Sequence, residues 1–349
     1  MASDLVISRF EAKDNVSDEP ERVLEAFGDW KLPCAHRQLV NSSFDLRMAV
    51  LEQLRIWFID EKDIIKAFNC GIIDTLVSLF SDAPISQESL ALCISSLRTL
   101  RRAQRCDYAR SRLIEMGLLQ LLIRDHLASS PTFELRDATY EVMIEILKTS
   151  QGCITAYKLG YLNVLPTLLS SGTINNKTLL FKLLTNLTLD GSSNSAEISD
   201  TFTSLTSHYL PEPASYSEAF LSFIAAVASR SDTGKRNLLP MLPFIIPLAL
   251  TADNLAAWKF LASIAPLAAA RIEIFNLGGV SSIIDSLSTR NFQVQRFILV
   301  TITALAEYPP ARVALSPAVA DVKRCLEIST LKSFAQRSLN QLLWEPWKL

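Results

Sequence analysis

The side chains able to carry chemistry are few and scattered. The chain has three histidines, His36, His126 and His208, and six cysteines, Cys34, Cys70, Cys93, Cys106, Cys153 and Cys325. No Cys-x-x-Cys pair, His-Glu-x-x-His helix, Gly-x-Ser-x-Gly elbow or Gly-x-x-x-x-Gly-Lys-Ser/Thr loop occurs. Metal ligation, nucleophilic catalysis and nucleotide binding therefore lack the spacings they need. Asp125 and His126 adjoin, but neighbours on a helix point in different directions and do not make a dyad. The thiols read as reduced and mostly buried, not as a disulfide framework. The expectation is a non-enzyme with no catalytic residues, no cofactor and no metal.

Charge and aromatic clusters suggest binding instead. Arg98, Arg101, Arg102 and Arg105 recur at i, i+3, i+4 and i+7, which on a continuous helix puts four guanidinium groups on one face. Arg110 and Arg112 follow, and the stretch from Arg98 to Arg112 holds six basic residues and one acid. Such a face would dock an acidic partner through bidentate carboxylate pairing. The plainer account is a solvated helix end, where cations favour the negative end of the dipole. At the other end, Trp344 and Trp347 either cap the last helix pair or anchor a partner, since tryptophans dominate interface energetics.

These residues need elements to hold them, and a repeat supplies those elements. Four segments align on a glycine: Gly71, Gly117, Gly160 and Gly278, spaced by 46, 43 and 118 residues. Three residues before each stands a large apolar residue: Phe68, Ile114, Tyr157 or Phe275. Two after stands Ile73, Leu119, Leu162 or Val280, and five after Leu76, Leu122, Leu165 or Ile283. Nine after stands Phe80, Leu169 or Leu287, with His126 as the exception. Offsets of 2, 5 and 9 fall on one helical face. Glycine there can end one helix in the left-handed conformation before the next begins. Further apolar helices lie upstream, for example over 44–58, 89–100, 135–147, 178–187, 219–228, 255–267 and 294–306. Armadillo and HEAT repeats have periods of about 40 to 47 residues. The predicted fold is all-α, an armadillo/HEAT-like right-handed superhelical solenoid of about seven repeats over residues 42–349. Residues 1–41 are expected to form an N-terminal arm or irregular cap; 1–30 hold eight acidic and three basic side chains. Residues 190–217 are the least regular stretch.

Composition sets limits on the function. The formal net charge is −2, so no global basic excess points to nucleic acid. The N-terminus lacks the basic-then-apolar pattern of a signal peptide. The most apolar run, Leu238 to Leu250, is shorter than the roughly 20 residues that span a bilayer. It is also interrupted by Pro240, Pro243 and Pro247, so a core helix pair with a proline bend is expected there. The sequons at Asn15, Asn41, Asn176 and Asn186 read as chance occurrences. The expected partners are other proteins, with no nucleic acid and no membrane.

The glycine-led helices resemble the armadillo family over nearly the whole chain. In peptide-binding members the third helix of each repeat carries a ladder of asparagines. Asn186, in Leu-Leu-Thr-Asn-Leu, matches that pattern, while the equivalent places hold Gln53, Thr99, apolar residues and Ala304, so the ladder is broken. A narrower resemblance is to the armadillo-repeat family of ciliary radial spokes. Glu61 to Asp82 is similar to its first repeat, and Leu305-Ala306-Glu307 with Pro310, Arg312, Ala314 and Leu315 to a late one. That resemblance implies a structural subunit of the axoneme, in cytoplasm and cytoskeleton, with spoke or other axonemal proteins as partners and no activity of its own. The alternative is a soluble adaptor or cargo carrier that binds extended peptides.

Overall fold

The computed structural model describes residues 28–81, 86–127, 132–171, 173–190, 218–251, 254–289 and 291–344. Among these every regular element is helical. The first unit holds α1 (Lys31–Asn41), α2 (Phe44–Trp57), α3 (Glu61–Asn69), α4 (Ile72–Ser81), α5 (Gln87–Ala103), α6 (Asp107–Glu115), α7 (Leu118–Leu121) and α8 (Phe133–Ile146). α7 runs on into a π-helical turn, Leu122–Leu127. The second unit holds α9 (Ser150–Lys158), α10 (Tyr161–Ser171), α11 (Ile174–Leu189), α12 (Glu218–Arg230), α13 (Asp232–Asn237), α14 (Leu242–Thr251) and α15 (Leu255–Ile264). It continues with α16 (Ala268–Asn276), α17 (Gly279–Ser286), α18 (Phe292–Leu305), α19 (Pro309–Ala314), α20 (Val319–Cys325) and α21 (Lys332–Leu342). The chain divides into these two compact units between Ile146 and Leu147.

The order is a repeating triad: a short first helix, a second helix after a tight turn, and a long third helix. Turn chemistry fixes the pattern. Gly71, Gly117, Gly160 and Gly278 all have φ between +71° and +78°, a region that costs an L-residue about 1–2 kcal/mol. Each donates its N–H to the residue three before it: Phe68, Ile114, Tyr157 and Phe275, at 2.9–3.2 Å. This closes the last turn of the first helix and redirects the chain. The third helices begin on side-chain caps. Ser86 and Ser89 bond reciprocally, as do Thr173 and Asn176. Asn254 and Asn291 each accept two backbone N–H groups.

Packing follows from apolar periodicity. In the first unit α2, α5 and α8 pack in succession, and in the second α11, α12, α15, α18 and α21 do the same. Because neighbours flank them, the inner third helices are buried on most sides. α15 buries Trp258, Phe260, Leu261 and Ile264; fully burying one such side chain is worth about 1.5–3 kcal/mol. Aromatic pairs join one repeat to the next in the same geometry in both units. Phe68 meets Tyr108 edge-on at 5.6 Å and Phe275 meets Tyr308 at 5.7 Å, each at 80°. The fold is thus the all-α armadillo-like solenoid class, its helices stacked in chain order within each unit.

Three sequence readings meet the structure differently. The proline-rich run, expected as a helix pair with a proline bend, is a 3-10 turn at Leu239–Met241 that leads into the single helix α14 with Pro247 inside it. By contrast, the part of the proposed arm from Lys31 to Asn41 is a regular helix. Its Leu32, Ala35 and Leu39 are at most 1% exposed, and it packs on α2 and α4. Lastly, 42–349 reads as one array in the sequence, whereas the structure divides it after Ile146. Among the described residues no single helix is long and apolar enough to cross a membrane.

Candidate functional site

The arginine cluster lies at the end of α5 in the first unit. Arg98 and Arg101 are exposed and Arg102 is half-buried. The helix stops at Ala103, where the Gln104 N–H bonds back to Leu100 and Arg102. Arg105 therefore sits in the turn beyond the cap, not at the fourth place on one face. The periodic spacing assumed a helix reaching Arg105, two residues beyond where this one ends. Arg101 is committed to Glu141 of α8 at 2.8 Å. Arg110 bonds the Gln104 carbonyl at 2.6 Å and pairs with Asp107, and Arg112 pairs with Glu115 at 2.7 Å. Arg98 and Arg105 make no side-chain hydrogen bond or ion pair among the described residues. The cluster is therefore partly neutralised by its own surroundings, and what it offers a partner is exposed Arg98 and Arg105 beside half-buried, unpaired Arg102.

Asn186 is half-buried on α11, in the second unit, and Lys182 is exposed one turn before it. Of its ladder equivalents, Gln53 is half-buried and Ala304 is 8% exposed. Thr99 is fully buried and its hydroxyl donates to the Ser95 carbonyl at 2.9 Å. Thr99 is thus turned into the packing between α5 and α2. Trp344 is 48% exposed. The Arg312 guanidinium stands 5.0 Å over its ring and donates to its carbonyl at 3.1 Å. Arg312 also holds the Ala306 carbonyl at 2.7 Å, so Trp344 folds back on the last triad. Trp347 lies outside the described residues.

Groups able to do chemistry are dispersed. Among the described residues no cluster of three or more His, Cys, Asp or Glu side chains could hold a metal ion. His36 Nε2 lies 3.0 Å from Thr75 Oγ1 and ties α1 to α4. His126 falls in the π-helical turn, and His208 outside the described residues. Burial pushes the Cys93 and Cys153 thiols up to about 12, which leaves them protonated and unreactive at neutral pH. A small pocket in the second unit is lined by Ile246, Leu250, Trp258, Ile274, Gly279 and Ile283 and presents no acid, base or nucleophile.

No family model matches the chain, and no curated protein matches it by sequence. Solved structures do match in fold. An engineered protein aligns with a TM-score of 0.65 at 16% identity, covering 89% of this chain and 88% of its own. A chain from work on a phosphorylation switch that controls the interaction between cadherin and beta-catenin aligns with a TM-score of 0.67 at 13% identity. That match covers 90% of this chain and 65% of the other. At such identities the likeness establishes an armadillo-like fold.

Proposed function

We propose that the chain is a non-catalytic protein-binding scaffold of armadillo type. The observation that carries this reading is the stacking of third helices, which hide their apolar sides against one another and against the second helices and leave an exposed stripe on each. Such a surface suits an extended or large partner better than a small substrate, which needs a concave site with converging polar groups.

At finer grain we propose a structural subunit of the ciliary or flagellar axoneme, within a radial spoke and joined to its neighbours there. This rests on the similarity of Glu61 to Asp82 to the first repeat of that family. In the structure that segment supplies α3, the Gly71 turn and α4. A tagged copy expressed in a ciliated cell should co-fractionate with axonemes and purify with spoke proteins. Recovery in cytosol alone, with none on axonemes, would sink the axonemal reading. A second reading, a soluble adaptor for extended peptides, is favoured by the position of Lys182 and Asn186 one turn apart on α11. It gains if cytosolic recovery is accompanied by a peptide whose binding Asn186→Ala weakens.

A further inference from the structure

The third helices of the second unit carry their charge unevenly. α11, α12, α15, α18 and α21 include Lys182, Arg230, Lys259, Arg296 and Arg337, and between them only one acid, Glu218. The chain as a whole has a net charge of −2, so this is not a reflection of bulk composition. The unit's other described acids stand on its first and second helices, as Asp232, Glu273, Asp285 and Asp321 do, or in turns, as Asp190, Glu307 and Glu327 do.

Burial and capping place Lys259 and Arg296 in register on neighbouring helices. Along α15 the one exposed residue is Lys259, with Ser263 half-buried a turn later; on α18 Arg296 is exposed, with Val300 and Thr303 half-buried behind it. Asn254 and Asn291 cap these neighbouring helices in the same way. Lys259 and Arg296 each follow five residues after their cap, so they share a register. The Arg296 guanidinium lies 4.7 Å over Phe334 of α21, one turn before exposed Arg337. Lys182 is exposed on α11.

None of Lys182, Lys259, Arg296 and Arg337 makes an ion pair or side-chain hydrogen bond among the described residues. Several cations elsewhere in the chain are paired. Arg55, Arg110, Arg112, Lys235 and Arg324 each pair with an acid three residues away. Arg230 is also engaged, on the Leu189 carbonyl.

We infer that this stripe of the second unit, with Lys182, Lys259, Arg296 and Arg337, seats an extended acidic segment of a partner protein. The inference rests on the scaffold reading and names the chemistry of what the scaffold holds. Packed helices stand about 8–10 Å apart, and an extended chain advances about 3.3 Å per residue. A carboxylate at about every third position thus meets one helix after another. The four steps from α11 to α21 span roughly 36 Å, or about eleven residues. Arginine takes a carboxylate in two parallel hydrogen bonds, and lysine takes it as a point charge.

The test uses the full chain and a fluorescent peptide of about twelve residues with glutamate at every third position, followed by anisotropy. Saturable binding is expected, weakening as salt rises. It should weaken at least tenfold in Lys259→Glu/Arg296→Glu and by less in Lys259→Gln/Arg296→Gln, with circular dichroism unchanged in both. The inference is overturned if the wild type shows no saturable binding or if both double variants bind like it. It is also overturned if reversal of Arg98 and Arg105 removes the binding in their place. Partners purified from axonemes that stay bound to both double variants would leave the scaffold reading standing while the acidic-segment inference fell.

Discussion

Replacing Gly278 by alanine tests the turn on which the repeat depends. Gly278 has φ +73° and ψ 13°, and its N–H bonds the Phe275 carbonyl at 3.0 Å. A methyl group added there meets nothing within 4 Å, so the effect is purely conformational. The left-handed region costs an L-residue about 1–2 kcal/mol. Alanine recovers about 0.4–1 kcal/mol by restricting the unfolded chain, which leaves a net loss of about 1 kcal/mol. Asparagine, which enters this region more readily, should lose less. The next residue behaves in the opposite sense. A methyl on Gly279 would lie 3.0 Å from both the carbonyl oxygen and Cγ2 of Ile274. A backbone oxygen has little room to yield, so Gly279→Ala should cost about 1–3 kcal/mol and Gly279→Asn more. Hydrogen exchange read by mass spectrometry over 268–286 isolates α16, the turn and α17 from the rest of the chain. A loss of about 1 kcal/mol appears as roughly fivefold faster exchange. Equal acceleration by Gly278→Ala and Gly278→Asn, or none from Gly279→Ala, would refute the claim that backbone conformation at one residue and crowding at the next hold this turn.

Four further outcomes are expected. Brief iodoacetamide treatment at pH 8 should label half-buried Cys34 and Cys70 before buried Cys93 and Cys153, as read by peptide mapping. Burial raises the last two thiols from 9.0 to about 12. Their unfolded forms ionise first, so stability is full below about pH 9 and falls as pH rises toward 12, which urea midpoints across that range will report. A double-mutant cycle of Arg101→Ala and Glu141→Ala should give a coupling of only about 0.2–1 kcal/mol, because the pair is partly exposed; a coupling above about 2 kcal/mol contradicts that reading. Arg312→Ala should release Trp344, seen as a red-shifted and more quenchable emission against a Trp344→Phe control, and an unchanged spectrum argues against the ring contact.

Some of this was legible in the sequence and some was not. The four glycines announced their conformation because local turn chemistry acts over five residues, within reach of a spacing argument. The third helices were legible because their apolar stripes are continuous. α1 escaped notice because Leu32, Ala35 and Leu39 make a thin stripe in a polar segment, and its order comes from α2 and α4. Arg105 was misplaced because periodicity does not report where a helix stops, and the Gln104 cap has no glycine or proline to signal it. The Lys182, Lys259, Arg296 and Arg337 stripe was invisible for a different reason. Its members are 37 or more residues apart, one to a helix, and only stacking makes them neighbours.

The shared turn between first and second helices also bears on how the chain could change length. Gly71 and Gly117 open equivalent joints, with the same φ and the same backbone bond. A genetic event that deletes or duplicates the segment between them joins like to like, restoring the same corner at the scar. The number of rungs on the scaffold is therefore an adjustable quantity for evolution and for engineering, set by recombination at such corners and tolerated wherever the newly adjacent third helices have compatible apolar sides.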